Sequence, residues 1–338
     1  MTPSERIQMA HGGGGQLTGE LIQQVILPAL GATSAGPMTD AAEIEGTGRL
    51  AFTTDSYVVR PLEFPGGDIG KMAVCGTVND LAVVGARPVA LSLGLIIQEG
   101  FEIELLRRLL ASAGQKAAQI GVPIVTGDTK VVGREGCDGL IINTAGIGRI
   151  PDGVRLGFDR IAPGDKVLLS GPLGEHSLTI MTQRDGLRIA SELISDCEAI
   201  DGLTSSLLER LGGGVKFMRD PTRGGLAALL ADAAAATGRD IVIDERAIPV
   251  NRTARAAAEI LGLDLLSAAN EGKLVVFVAP EAADEALRIL ARHEIARHAA
   301  VIGAVGPAAD VPMVEMMTAI GGRRVVQMPY GEDLPRIC

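Results

Sequence analysis

Apolar positions recur along this chain with two periods, and the switches between them outline its elements. Leu17, Leu21, Ile22, Val25 and Ile26 fall at helical spacing after a glycine run at 11–15, predicting a helix over 16–30 that ends near Pro28 and Gly31. Short β-rich runs predict strands at 49–54 and 57–61, and Pro65-Gly66-Gly67-Asp68 reads as a turn. A helix over 69–84 follows and carries Asn79 and Asp80. Next come a buried strand at 88–98, an amphipathic helix at 103–120, and strands at 122–126 and 139–148. The stretch 150–165 holds two Pro and three Gly with little periodicity, and marks a domain junction.

The pattern then restarts. Strands are predicted at 166–170, 240–244, 273–279, 300–305, 311–317 and 323–328, and helices at 177–194, 203–211, 226–236, 252–261 and 281–293. From Pro329 the ending YGEDLPRIC has no period. The expected organisation is a two-domain α/β (α+β) protein, with domains at 1–155 and 156–328 and a tail at 329–338. A length of 338 residues, more than one core usually holds, supports that division.

Composition narrows the chemistry. Apolar residues make up 47% of the chain with six Phe, two Tyr and no Trp, so the core is built from Ala, Val, Leu and Ile. A net charge of −10 excludes the broad basic surface that nucleic acid binding needs. No apolar run is long enough to span a bilayer, and MTPSERIQMA lacks the apolar region of a secretion signal, so a cytoplasmic protein without membrane contact is expected. The four cysteines, Cys75, Cys137, Cys197 and Cys338, form no CxxC pair and read as reduced thiols.

The phosphate signals are unconventional: there is no Walker A loop, and no GxGxxG follows a strand. Gly12, Gly13 and Gly14 could wrap exposed amides round a phosphate, or form an unconstrained N-terminal loop. Asp55, Asp80, Asp128 and Asp220 stand at element ends among small residues. Each suits a cap or turn; converging, they suit a magnesium ion that shares phosphate oxygens. Arg219 and Arg223 flank Asp220 near Thr222 and Gly224, and read either as phosphate contacts or as a helix start with a surface ion pair. Lys130 and Glu271 are catalytic candidates or solvated bystanders. Cys338, as last residue, is an exposed thiol that is either incidental or functional. A ten-residue tail spans on the order of 30 Å, enough to enter the protein's own active site.

Taken in order, HGGGG, TTDSYVV, GTVNDLAVVGARP, PIVTGDTKVV, GLIINTAGIGRI, SGPLGEHS, RDPTRGGLA, AANEGKLV and the terminal PRIC resemble the HypE family of hydrogenase-maturation factors over nearly the full length. That family belongs to the superfamily of aminoimidazole ribonucleotide synthetase and selenophosphate synthetase. The resemblance implies an N-terminal domain whose sheet pairs with its twin in a homodimer, and a C-terminal α/β domain covering ATP. It implies dehydration of a carbamoyl group on Cys338 to a thiocyanate, with the carbamoyltransferase HypF as donor and a HypC-HypD scaffold receiving the cyanide. It further implies ATP contacts from Gly12, Gly13, Gly14, Asn79, Thr129, Arg219, Thr222, Arg223 and Gly224. Asp55, Asp80, Asp128 and Asp220 would hold Mg2+, and Lys130 and Glu271 would act on the carboxamide. Two alternatives stay open: a synthetase or kinase acting on a diffusible substrate, which would not need Cys338, and a nucleotide-sensing scaffold whose tail only docks.

Overall fold

The computed structural model describes residues 15–21, 42–46, 48–133, 135–184, 193–330 and 337. Gly12, Gly13, Gly14 and Cys338 lie outside these residues, as does most of the tail and most of the helix expected over 16–30, of which α1 (Gln16–Leu21) is described.

After α1 the chain runs through β1 (Ala42–Gly46) and β2 (Gly48–Tyr57) into a two-residue hairpin, β3 (Glu63–Phe64) with β4 (Gly67–Asp68). Helix α2 (Ile69–Val83) follows, then β5 (Arg87–Gln98), α3 (Ile103–Ile120), β6 (Ile124–Val132) and β7 (Leu140–Ile150). The long strands form one sheet in the order β1-β2-β7-β5-β6, antiparallel except for the parallel β5–β6 pair.

Helix α2 starts where the Asp68 carboxylate accepts the amides of Gly70 (2.7 Å) and Lys71 (3.0 Å), satisfying donors that a helix start leaves orphaned. Nearly all of its residues are buried, because one side packs on β2, β5, β7 and α3 and the other meets the second half of the chain. Of the strands expected at 49–54 and 57–61, the first lies within β2, which ends at Tyr57; residues 58–61 form no strand.

The strand expected to stop at Thr126 continues through Val132. TGDTK, where Asp128 is expected at an element end, is pleated and paired with β5. Gly127 is there for room: a Cβ at this position would collide with the Leu93 carbonyl across the pair.

In the second half, β8 (Lys166–Leu169), α4 (Glu175–Arg184), α5 (Asp201–Leu211), β9 (Val215–Arg219), α6 (Gly225–Thr237), β10 (Arg239–Asp244), α7 (Arg252–Leu261), β11 (Val275–Val278), α8 (Ala283–Leu290), β12 (Ala300–Ala308), β13 (Val314–Met317) and β14 (Arg323–Val326) build a seven-stranded mixed sheet. Its order is β14-β13-β10-β12-β8-β11-β9. The continuous apolar run of β11 follows from burial on both faces: Val275 and Phe277 pack toward α6, Val276 and Val278 toward α5 and α8. The helix expected over 177–194 begins earlier, at Glu175, and is described to Arg184.

The two halves share apolar cores. Val83 of α2 packs into the cluster under α5 and α8, while Ile180, Cys197, Ala269 and Ile337 join Tyr57, Ile69, Met72 and Cys75 in another. Among the described residues no helix is long and apolar enough to cross a membrane.

Candidate active site

The seam between the halves collects buried polar groups, which need partners if the fold is to tolerate them. Asn79, on α2, is buried, and its carboxamide is spent on the main chain of the second half. Its nitrogen donates to the carbonyls of Glu198 (3.1 Å) and Glu271 (3.2 Å), and its oxygen accepts from the Ile200 amide (2.9 Å). The expected nucleotide contact thus has a structural duty in this chain. Glu198 adds ion pairs to Lys71 (3.3 Å) and Lys116, both on the first half.

Beside Asn79, the Asp80 carboxylate accepts the Thr53 hydroxyl (2.8 Å) from β2. Asp55, two residues along β2, meets Arg223 of the second half at 3.5 Å. Asp220 is buried just past β9, in the loop that leads to α6. That loop is braced by Asn270, whose amide and side-chain nitrogen both donate to the Pro221 carbonyl (3.1 Å each) while its oxygen accepts from Gly174 (2.8 Å).

Glu271 is 2% exposed, and its Oε1 has no hydrogen-bond partner among the described residues. Burial pushes its carboxyl well above the usual range, and the charges of Asp196, Asp220 and Asp55 push it further. The Tyr57 hydroxyl, also buried, is raised by burial and then by Asp55 and Asp80. These mutual effects put Asp55, Asp80, Asp220 and Glu271 in one electrostatic neighbourhood. Among the described residues no three His, Cys, Asp or Glu side chains converge closely enough to hold a metal ion by themselves.

The remaining candidates stand apart. Arg219 turns back along its own domain to Asp232 of α6 (2.8 Å). Thr222 accepts the Gly225 amide through its carbonyl, and Gly224 caps α6 in a left-handed conformation, φ 74°. On β6, Asp128 and Lys130 pair with Gly94 and Ile96, so they share the exposed sheet face with Thr54, Ser56 and Asn143. Helix α2 and Asp80 lie on the opposite face. Thr129 points to the α2 side and is exposed. Within one chain, Asp128 and Lys130 are therefore not brought together with Asp80 and Asp220.

Sequence reasoning passed over four polar residues that organise this seam: His176, Ser195, Asp196 and Lys273. Lys273 is almost fully buried, with Glu175 and Asp196 each 3.1 Å away. Burial works against its charge, yet Asp196 and then Glu175 outweigh it and hold the ammonium above its ordinary value. Asp196 also accepts the Glu271 amide (3.2 Å). Gly272 presses so closely on this segment that a Cβ would strike the Asp196 carbonyl. The signal for Lys273 was its place directly before Leu274 and the buried strand β11, where a lysine cannot remain solvated.

This pair of domains defines a class. Residues 38–150 match the model of the AIR synthase related protein N-terminal domain, and 162–313 that of the C-terminal domain. Carbamoyl dehydratase HypE of Rhodobacter capsulatus is 48% identical over 337 residues, covering 99% of this chain and 98% of that protein. A crystal structure of hydrogenase maturation protein HypE in complex with ATP is 43% identical with a TM-score of 0.83, covering 98% of this chain and 100% of that one. A HypE–HypF complex gives 41% identity and a TM-score of 0.86, covering 91% of this chain and 99% of that one. The chain belongs to the HypE family of carbamoyl dehydratases, enzymes of hydrogenase maturation.

Proposed function

We propose that this chain uses Mg-ATP to dehydrate a carbamoyl group on the thiol of Cys338, leaving a thiocyanate whose cyanide serves the iron centre of a [NiFe]-hydrogenase. The observation that supports this most directly is the position of Ile337. It is 3% exposed in the apolar cluster that joins the two halves, and its carbonyl lies 2.7 Å from His176 Nε2. One peptide unit, about 3.8 Å from Cα to Cα, separates Ile337 from Cys338. Ile337, the residue before Cys338, is thereby held at the seam to which Glu271 belongs.

An amide oxygen is a poor leaving group; phosphorylated by ATP it departs as phosphate, and loss of both N–H protons leaves C≡N. Glu271 suits the removal of a proton. Its raised carboxyl is a stronger base than an ordinary one, and Oε1 is uncommitted among the described residues. Asp55, Asp80 and Asp220 are hard oxygen donors in a seam of surplus negative charge. They fit a magnesium ion that takes its other ligands from phosphates and water, and such an ion would offset charge on the transferred phosphoryl. Arg223, bridging to Asp55, and the amides at the start of α6 suit the phosphates.

A homodimer would complete the arrangement. Phe52, Ile96 and Ile147 leave the β-sheet face opposite α2 exposed at 43%, 37% and 41%, and among the described residues β6 is the sheet's outer strand on one side. Asp128 and Lys130 stand on that same face, where pairing with a second copy would carry them toward the other chain's seam. A HypF-type carbamoyltransferase would load Cys338, and a HypC-HypD scaffold would take the cyanide.

The test is to carbamoylate the full-length protein with its carbamoyltransferase and carbamoyl phosphate, add Mg-ATP, and weigh the C-terminal peptide. Loss of one water from the Cys338 adduct is expected; ATP hydrolysis with the adduct mass unchanged would overturn the assignment.

A further inference from the structure

His176 lies in the first turn of α4 with no exposed surface, and neither of its ring nitrogens faces solvent. Nε2 is 2.7 Å from the carbonyl oxygen of Ile337, and Nδ1 is 2.7 Å from the Ser195 hydroxyl. A carbonyl only accepts, so Nε2 carries the proton. Burial holds the ring neutral, its pKa below the ordinary histidine value, which leaves Nδ1 as a lone pair to accept the Ser195 hydrogen. The Ser195 oxygen in turn accepts the Cys197 amide (3.1 Å), and Phe64 packs edge-on against the imidazole at 5.5 Å. Every proton in this relay has one place.

We propose that His176, oriented by Ser195, is a positioning residue that sets the register of the tail by gripping the main-chain carbonyl one residue before Cys338. The grip is on the backbone, and together with the buried Ile337 side chain it fixes which residue sits at the seam. It is also tied to the chemistry. Asp196, between Ser195 and Cys197, holds the Glu271 amide and the Lys273 ammonium. One short segment therefore fixes both Ile337 and the loop that carries Glu271, so a change of register at residue 337 would change which residue follows that fixed point. This inference rests on the reading that Cys338 carries the reacting group.

The experiment uses the full-length protein and its His176→Ala, His176→Gln and Ser195→Ala variants. Each is treated with iodoacetamide, and labelling is followed thiol by thiol from peptide masses. In His176→Ala, Cys338 should label about tenfold faster than in the unaltered protein, the factor that one lost buried hydrogen bond commands. Cys75 and Cys197, both buried, should keep their slow rates. His176→Gln, which retains an N–H donor, should return Cys338 toward the original rate, and Ser195→Ala should fall between. Water loss from the carbamoyl adduct should slow in His176→Ala at unchanged KM for ATP. Unchanged Cys338 labelling in all three variants overturns the proposal, as does acceleration of all the buried thiols together, which would mark a loosened core. If labelling behaves as expected but the unaltered protein never loses water, the register device stands and the dehydratase reading falls; the converse pattern removes only the device.

Discussion

Asn79 donates to the main-chain carbonyl of Glu271 across the domain seam, 3.2 Å from nitrogen to oxygen. With its bonds to Glu198 and Ile200, this single carboxamide joins the helix that carries Asp80 to the loop that carries Glu271. Asn79→Ala strands two carbonyls and one amide in a buried place, and should cost about 2–4 kcal/mol of stability. Asn79→Asp should be worse, since a carboxylate loses both donors and adds repulsion beside Glu271. With no Trp in the chain, urea unfolding followed by circular dichroism is the measurement. Equal midpoints for Asn79→Ala and the unaltered protein would remove the clamp.

On the proposed reading, Glu271 sets stability against function. Its carboxyl stands well above the ordinary value of 4.5, through burial first and then Asp196, Asp220 and Asp55. As pH climbs past 4.5 the unfolded chain ionises before the folded one does, so the folded state loses relative stability up to its own higher pKa, with no further loss beyond. Glu271→Gln escapes that loss. Its melting temperature should exceed the unaltered protein's at pH 8, with the gap closing as pH falls toward 4.5. Water loss from the carbamoyl adduct should meanwhile drop by about 10²–10⁴-fold, the usual range for a missing general base.

How far these features can be read from sequence depends on whether the deciding contact is local. Helix 103–120 was legible to the residue because its apolar stripe and the following Gly121, left-handed at φ 79°, are local signals. The extension of β6 past Thr126 was missed because the contact that explains Gly127 lies across the sheet at Leu93. Strand β9 was missed, five residues emerging from a glycine turn with no clear alternation. At the seam, Asp55, Asp80, Asp220 and Glu271 are near in space but up to two-thirds of the chain apart, and only the ordered motifs joined them. Asp196 and His176 look solvated until burial is known, whereas Lys273 carried a local signal in its place directly before Leu274 and the buried strand β11.

Lys273 neutralises Asp196 and Glu175 where water is scarce. Lys273→Met should destabilise by about 3–5 kcal/mol, since it leaves carboxylates buried without a cation. Adding Asp196→Asn removes the more deeply buried of the two charges while keeping an acceptor for the Glu271 amide, so the double variant should regain a large part of the loss. Thermal unfolding of the single and double variants by calorimetry decides it; additive losses would mean that Lys273 and Asp196 do not act as a pair.

The placement of Lys130 on the sheet face opposite Asp80 leads to a test of subunit sharing. If a second copy covers that face, Asp80 of one chain and Lys130 of the other serve the same site. Asp80→Ala and Lys130→Ala homodimers should each be inactive in water loss. Co-expressed, half of the dimers are mixed, and each mixed dimer has one site in which both residues are intact and one in which both are lost. Activity should then recover to about a quarter of the unaltered level. Because neither variant alone can supply that activity, recovery requires residues from two chains in one site. No recovery in a mixture shown by mass to contain mixed dimers would instead confine Lys130 to a role outside the site built around Asp80.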